Sequence, residues 1–415
     1  MEPDALVDGI ASPDPGVRRA ALERLSSAGA EAVAPLITVL CDEESPVDWS
    51  LPALALRKIG DAAVDPLVEA IATAPTLEVA RRAGWAFSGL EVSDVERYVP
   101  ALGHPSPKVR GDAAYVLQLK GKDARPYVPD LLPLLADTDA EVRRRAIWAL
   151  SAIGPGGVVP QLKRLRRKAA TPALRRHALA ALAEIAGPSK MDPADLALLR
   201  RLIAVKLHGD TPAPMHLCGH WWALPTTDQQ AVLDAFGLAS PEPVTMRLGG
   251  SVWNLDQHEH DGHGACARVY VSPAFDGWTL VFGDSSADAH TDAAVLERCA
   301  DLSRRFGEAH WYGQSCGDGW NAWCLAVGGE IVRRFDNEDP TLTVGGPHPA
   351  EEGWMLTFDE DDEDERDLCF ASDIAASASI DPEALGPHTS VVGHGVLVLT
   401  ACGLKRGHPK GSAEI

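Results

Sequence analysis

Several things that would make this chain easy to read are missing from it. No apolar run approaches the ~18 residues of a membrane-spanning helix, so no transmembrane helix is expected. The opening residues, MEPDALVDGIAS, carry acids where a secretory leader would carry a basic stretch before an apolar one. A cytoplasmic location is the expectation. The eight cysteines, at 41, 218, 266, 299, 316, 324, 369 and 402, include no CxxC, and reduced thiols are expected. Positive charge is scarce in the second half. Residues 211–415 hold 11 basic and 32 acidic side chains, whereas residues 1–210 hold 27 of each. That imbalance opposes nucleic-acid binding by the second half and marks a boundary near 205–215. Apolar content is not lacking, at 46%, so a packed core is expected and global disorder is not. A length of 415 residues fits two to three domains. The heavy use of Ala, Arg, Asp, Gly and Pro resembles that of a high-GC bacterium.

What is present is a repeat. The segment Val142 to Gly154, VRRRAIWALSAIG, places Ala146 and Leu150 four and eight residues after Val142 and closes on Gly154. The same frame fits Val17, Ala21, Leu25 and Gly29, and again Val109, Ala113, Leu117 and Gly121. It fits Val79, Ala83 and Phe87 with Glu91 in place of the glycine, and Leu174, Ala178 and Leu182 with Gly187 one residue late. A degraded copy near residue 48 keeps the ending ALRKIG, Ala55 to Gly60. Anchors at 17, 48, 79, 109, 142 and 174 are 31, 31, 30, 33 and 32 residues apart, a period that means stacked supersecondary units. Apolar residues at i, i+4 and i+8 form one helical stripe, and a glycine just beyond fits a C-terminal cap. A first helix precedes each copy, at 32–40, 63–71, 95–103, 127–135 and 158–165, most with a proline shortly before a leucine pair. Residues 193–207 read as a closing helix.

This pattern resembles HEAT repeats, particularly the short type of roughly thirty residues also seen in phycobilin lyases. The resemblance covers about residues 3–207. It implies an α-solenoid whose usual work is binding other proteins. Arginines follow the anchors in register: Arg18, Arg19, Arg81, Arg82, Arg110, Arg143, Arg144, Arg145, Arg175 and Arg176. Stacked repeats would align them in a basic column along the solenoid groove, suited to carboxylates. The alternative is that they solvate a helix face and pair with Glu23, Glu78 or Glu141.

From 208 onward the repeats stop. Eight of the eleven tryptophans lie beyond residue 215. Strand-like runs are expected at 244–248, 267–272, 278–283, 320–327, 330–335, 341–345 and 395–402, with a hairpin at Gly328–Gly329 and a helix over 291–307. The expected fold is an α-solenoid over 1–207 followed by a separate α+β domain, 208–415, with a mainly antiparallel sheet.

Three clusters invite chemistry. His216, Cys218 and His220 form one; His258, His260, Asp261, His263 and Cys266 form another. Imidazole and thiolate are zinc ligands, but the spacings match no established zinc pattern, and a polar loop is the competing reading. The third is His310 to Cys324. A papain-like pairing of Cys316 with His310 lacks the local signature of such proteases. An aromatic pocket at Trp311, Trp320, Asn321 and Trp323 is the binding alternative. Residues 359–367, with eight carboxylates and one arginine, read as a solvated loop, a cation collector or an occupant of the arginine column.

These features favour a non-catalytic interaction or scaffold protein, immunity- or antitoxin-like in a bacterial conflict or regulatory system, with another protein of acidic surface as partner. No cofactor is expected under that reading. The alternatives are a metal-dependent enzyme built on the His/Cys clusters, with zinc as the candidate cofactor, and DNA binding by the arginine column, as in HEAT-like alkylpurine DNA glycosylases. Charge opposes the last.

Overall fold

The computed structural model describes residues 9–187, 190–258, 264–283, 292–356 and 368–406. The chain divides into two compact units, Met1–Ile185 and Ala186–Ile415.

The first unit is a helical solenoid. Helices span Pro15–Ala28, Ala30–Cys41, Ser50–Ile59, Val64–Ala72, Leu77–Ser88, Pro107–Lys120, Ala140–Ile153 and Pro155–Lys168, with Pro172–Ala186 at the division. The repeated stripe is the core. Val142, Ala146 and Leu150 are buried, as are their counterparts Val79, Ala83, Phe87, Val109, Ala113 and Leu117. Three anchors depart: Val17 is 48% exposed, Asp48 of the degraded copy is exposed, and Leu174 is half-buried. Each helix that carries the stripe starts and stops for local reasons. The Asp139 carboxylate accepts from the N–H groups of Glu141 and Val142, satisfying donors the helix leaves unpaired. Gly154, at φ 94°, turns the chain out of the same helix, where a side chain would be strained. Two expected first helices take another form. Val95–Gly103 is a 3-10 helix, and Val128–Leu131 is a single α turn that runs into 3-10 geometry over Leu132–Ala136. Pro100 and Pro133 sit inside these segments, where the missing N–H and the restricted preceding residue oppose α geometry.

The second unit holds an antiparallel sheet of nine strands among the described residues. They are β1 Gly219–Leu224, β2 Glu242–Val244, β3 Arg268–Phe275, β4 Trp278–Phe282, β5 Glu308–Gln314, β6 Asn321–Val327, β7 Glu330–Asp336, β8 Val391–Val392 and β9 Gly395–Leu399. Their order is β2-β9-β3-β4-β1-β5-β6-β7, with β8 beside β3. Both faces of the sheet are covered. On one, Trp222, Val281, Trp311 and Cys324 pack with Val295, Cys299 and Leu302 of the helix Asp292–Phe306. On the other, cross-strand pairing sets Tyr270, Phe282, Trp221, Tyr312, Trp323 and Phe335 in one row across β3, β4, β1, β5, β6 and β7. Neighbouring rings lie within aromatic contact: Tyr270–Phe282 at 5.6 Å, Trp221–Tyr312 at 5.3 Å and Trp323–Phe335 at 4.7 Å.

The expected strands at 267–272, 278–283, 320–327, 330–335 and 395–402 correspond to β3, β4, β6, β7 and β9, and the hairpin turns on Gly328 and Gly329, both with positive φ. The segment 244–248 differs. Thr245 caps a helix, Met246–Gln257, by accepting from the Leu248 N–H. Gly249 in that helix lies against the Tyr270 ring, which an added Cβ would meet at 2.1 Å. Segment 341–345 contributes a single bridge, Val344 to Arg334. Two strands, β1 and β5, come from stretches whose histidines and cysteines suggested site chemistry. The helix Pro193–Lys206 falls within the second compact unit, where Arg200 pairs with Glu242.

Candidate functional site

The arginines of the repeat unit fall into two sets. The first follows the anchor directly. Arg18 donates to the carbonyls of Ser12 and Pro13, Arg110 to those of His104 and Pro105, and Arg143 to those of Asp137 and Thr138. Arg175 donates to the carbonyl of Ala169. In each case the acceptors lie five or six residues back, in the turn that leads into the arginine's own helix. Arg110 also forks onto both oxygens of Asp137, each at 2.7 Å. Burial pushes the Asp137 carboxyl up, but Arg110, the Asp139 N–H and Arg143 outweigh it, and the net pKa is lowered. These guanidinium groups therefore bind the turns together.

The second set meets aromatic rings. The Arg81 guanidinium lies 4.7 Å from the Trp49 ring centre, and Trp49 packs edge-on to Trp85 at 5.4 Å. Arg57 covers Trp85 at 3.2 Å. Arg145 lies 4.9 Å from Tyr115, and Arg144 is 5.8 Å from Trp148. Trp85, Tyr115 and Trp148 each stand six residues after their anchor, so the stacking of repeats brings them into one column. Trp148 is exposed, and the other three rings are half-buried. Glu78 pairs with Arg81 and Arg82, and Glu141 with Arg144 and Arg145. Hydrogen bonds from Arg81 and then Arg82 hold the Glu78 carboxyl at about 2. Arg19 and Arg176 are exposed.

In the second unit the structure joins parts of all three sequence clusters. His216 and Cys218 lie on the chain entering β1, on the same side of an extended segment whose Leu217 is buried. His258 closes the helix Met246–Gln257. Cys316 sits in the loop between β5 and β6. Two close approaches bring them together. Gly219 pairs with Gln314 at the end of the β1–β5 ladder, so the residues beyond, Cys218 and Cys316, become neighbours. Gln257 packs where a Gly219 side chain would be, 2.6 Å from a built Cβ, which brings His258 to the same end. The Sγ atoms of Cys218 and Cys316 are 3.1 Å apart, and Cys316 Sγ is 3.7 Å from His258 Nε2. The His216 and His258 rings stack with centres 6.4 Å apart. Ligand atoms of His216, His258 and Cys316 all lie within 4.8 Å of one another. The hydrogen bond to Cys218, and then burial, push the Cys316 thiol above its ordinary pKa.

The other expected site residues go elsewhere. His220 is buried and stacks on Trp311. Cys266 lies 3.3 Å from Cys402. His260, Asp261, His263 and the acidic run 359–367 lie outside the described residues. His310 bonds Glu308 and Tyr312. It stands on β5, four positions before the strand ends at Gln314 and roughly 13 Å of strand from the loop that carries Cys316, and its ring is engaged by Glu308 and Tyr312, so the papain-like pairing does not form. The aromatic pocket is corrected too. Trp311, Asn321 and Trp323 are buried, because helices and loops cover both sheet faces. Trp320 donates to Asp336, Asn321 to Gly319, and Trp323 to Glu351. A cavity of about 340 Å³ does open beside His216, with Met215, Met246, Arg247, Asn254 and Phe275 among its walls. The sequence reading missed Cys316 as a ligand and Arg57 as an aromatic partner. Their signal was pairing register and repeat stacking, not local spacing.

A family model described as HEAT repeats matches residues 3–88, 95–183 and 128–208. No family model matches the C-terminal half. Among solved structures, an engineered protein is 22% identical over 44% of this chain and 95% of its own, with a TM-score of 0.23. A chain from a structure of microtubule plus-end tracking by XMAP215, CLIP-170 and EB1 is 16% identical over 45% of this chain and 91% of its own, at 0.28. A chain from the complex of Kap95p with RanGDP is 14% identical over 49% of this chain and 33% of its own, at 0.27. No curated protein matches the sequence. Among the described residues, no helix is long and apolar enough to cross a membrane.

Proposed function

Taking residues 3–208 as HEAT repeats, we propose that the chain is a protein-interaction scaffold, and that the column of Trp49, Arg81, Trp85, Arg57, Tyr115, Arg145, Arg144 and Trp148 receives an acidic protein partner. The column itself carries this reading. Tryptophan, tyrosine and arginine dominate binding energy at protein interfaces, because they bury large rigid surfaces and still offer hydrogen-bond donors. Here they occur in the four middle copies, anchored at 48, 79, 109 and 142, at or near the surface, with guanidinium groups already over rings and Arg81, Arg144 and Arg145 held by Glu78 and Glu141. A partner's carboxylates would join or displace those glutamates at arginines fixed in place, which limits the entropy lost on binding. The arginines that hold the turns take no part. In its most concrete form the scaffold is immunity- or antitoxin-like.

The test starts with the full chain, purified at low salt from the cells that make it. A co-purifying protein is identified and the pair rebuilt from pure components. Arg81→Glu with Arg144→Glu is expected to weaken the complex at least ~10-fold, the scale of losing about 1.4 kcal/mol. Arg97→Glu, exposed and off the column, leaves it unchanged. Binding that ignores the column reversal, or that is insensitive to salt, contradicts the proposal.

A further inference from the structure

We propose that His216, Cys218, His258 and Cys316 bind one zinc ion in a structural site of the second unit. This goes beyond the scaffold reading and is independent of it. The donor set is two thiols and two imidazoles, the combination that selects zinc in tetrahedral geometry. A tetrahedron with Zn–S about 2.3 Å and Zn–N about 2.0–2.1 Å has ligand-to-ligand edges of roughly 3.3–3.8 Å. The Cys316–His258 separation of 3.7 Å matches a sulfur–nitrogen edge, and the Cys218–Cys316 pair, 3.1 Å apart, opens by about 0.7 Å to reach the sulfur–sulfur edge. His216 lies within 4.8 Å of His258 and Cys316, and Cys218 joins the three through its contact with Cys316, so a side-chain rotation at Cys218 is what closes the set.

A second observation points the same way. His258 Nδ1 lies 2.8 Å from the carbonyl oxygen of Asn254. A carbonyl only accepts, so Nδ1 carries the proton, and Nε2 is left with its lone pair toward Cys316. Zinc-binding histidines are oriented in this way, by donating their other N–H to a carbonyl or carboxylate. The ladder end at Gly219–Gln314 and the Gln257 contact on Gly219 pre-place ligands from three remote segments. Four protein donors leave no open coordination position, so the metal's work is to tie the β1 entry, the end of the helix Met246–Gln257 and the β5–β6 loop together, beside the cavity that His216 lines.

The experiment uses the full chain, made in zinc-replete medium and purified with reductant and without chelator. Elemental analysis is expected to give one zinc per chain. Cys316→Ser, in an exposed loop, and His258→Gln lower it to background, while Cys41→Ser in the repeats leaves it intact. Titrating metal-stripped wild-type chain with Co²⁺ gives tetrahedral visible bands and a thiolate charge-transfer band that saturate together at one equivalent. That spectrum needs no variant, so it stands if a substitution unfolds the unit. Chelation lowers the unfolding midpoint of the wild type but not of Cys316→Ser. Substoichiometric zinc with an octahedral cobalt spectrum overturns the proposal. So does full zinc retention in the Cys218→Ser, Cys316→Ser double variant, or a Cys218–Cys316 disulfide in metal-free chain.

Discussion

Arginine does different work in the two units. In the repeats, Arg18, Arg110, Arg143 and Arg175 each reach back five or six residues to turn carbonyls, a local contact that recurs with the period, and Arg110 adds a fork onto Asp137 in the turn before the next copy. In the sheet unit, buried arginines pair across long stretches of chain. Arg268 forks onto Asp256, Arg334 reaches Asp292, and Arg333 forks onto Glu351. The difference shows where each architecture keeps its specificity. A solenoid repeats one local solution, and losing one copy loosens one turn. A sheet covered on both faces must satisfy each buried charge by a partner from elsewhere, and losing that partner strands the charge.

Four substitutions test this contrast, from the largest effect to the smallest. Glu351→Ala leaves Arg333 buried and removes the acceptor of the Trp323 Nε1 donor, so the sheet unit is expected to lose about 3–5 kcal/mol. Urea unfolding followed by tryptophan fluorescence measures it, and a loss below ~1 kcal/mol would erase the distinction. Arg143→Ala removes two turn hydrogen bonds and is expected to cost the repeat unit about 1–3 kcal/mol in circular-dichroism melts. The third concerns pH. The Asp137 pKa is lowered in the folded chain, so its contribution is fully present above the ordinary aspartate value, about 3.9, and is lost as pH falls through the lower folded value. Asp137→Asn should therefore lower stability at neutral pH and flatten the acid limb of the repeat unit's denaturation profile. An unchanged acid limb counts against the Arg110–Asp137 fork. Smallest is Arg144→Glu, whose side chain is 53% exposed, where a stability change within ~0.5 kcal/mol is expected. A larger loss would make the column a structural element and not a surface.

How much was legible follows from how local each contact is. The stripe Val142, Ala146 and Leu150 and the cap at Gly154 lie within one helix, so spacing alone exposed them. Spacing also placed the arginines in register, but it could not show that those one residue past the anchor hold turns while Arg81, Arg144 and Arg145, two or three past it, face aromatics, because the rings they meet are brought near by folding. In the second unit, Gly328–Gly329 announced its hairpin, since two positive-φ positions mark such a turn. β1 and β5 gave no such signal. They are covered on both faces, so GHWWAL and EAHWYGQ show no alternation of apolar and polar residues. The helix at Met246 was hidden by its β-branched lead-in and by Gly249, whose reason is the Tyr270 ring. The ligand set was half visible. His216, Cys218 and His258 stood out by residue type, but Cys316 joins them only through the pairing of Gly219 with Gln314.

The central claim is that the arginine–aromatic column is a binding surface. Oxidative footprinting of the full chain, alone and with its purified partner, tests it most directly. Protection is expected at Trp49, Trp85, Tyr115 and Trp148 together, with Leu77, which is 91% exposed and off the column, unchanged. Equal oxidation of those four aromatic residues in free and bound chain would contradict the account.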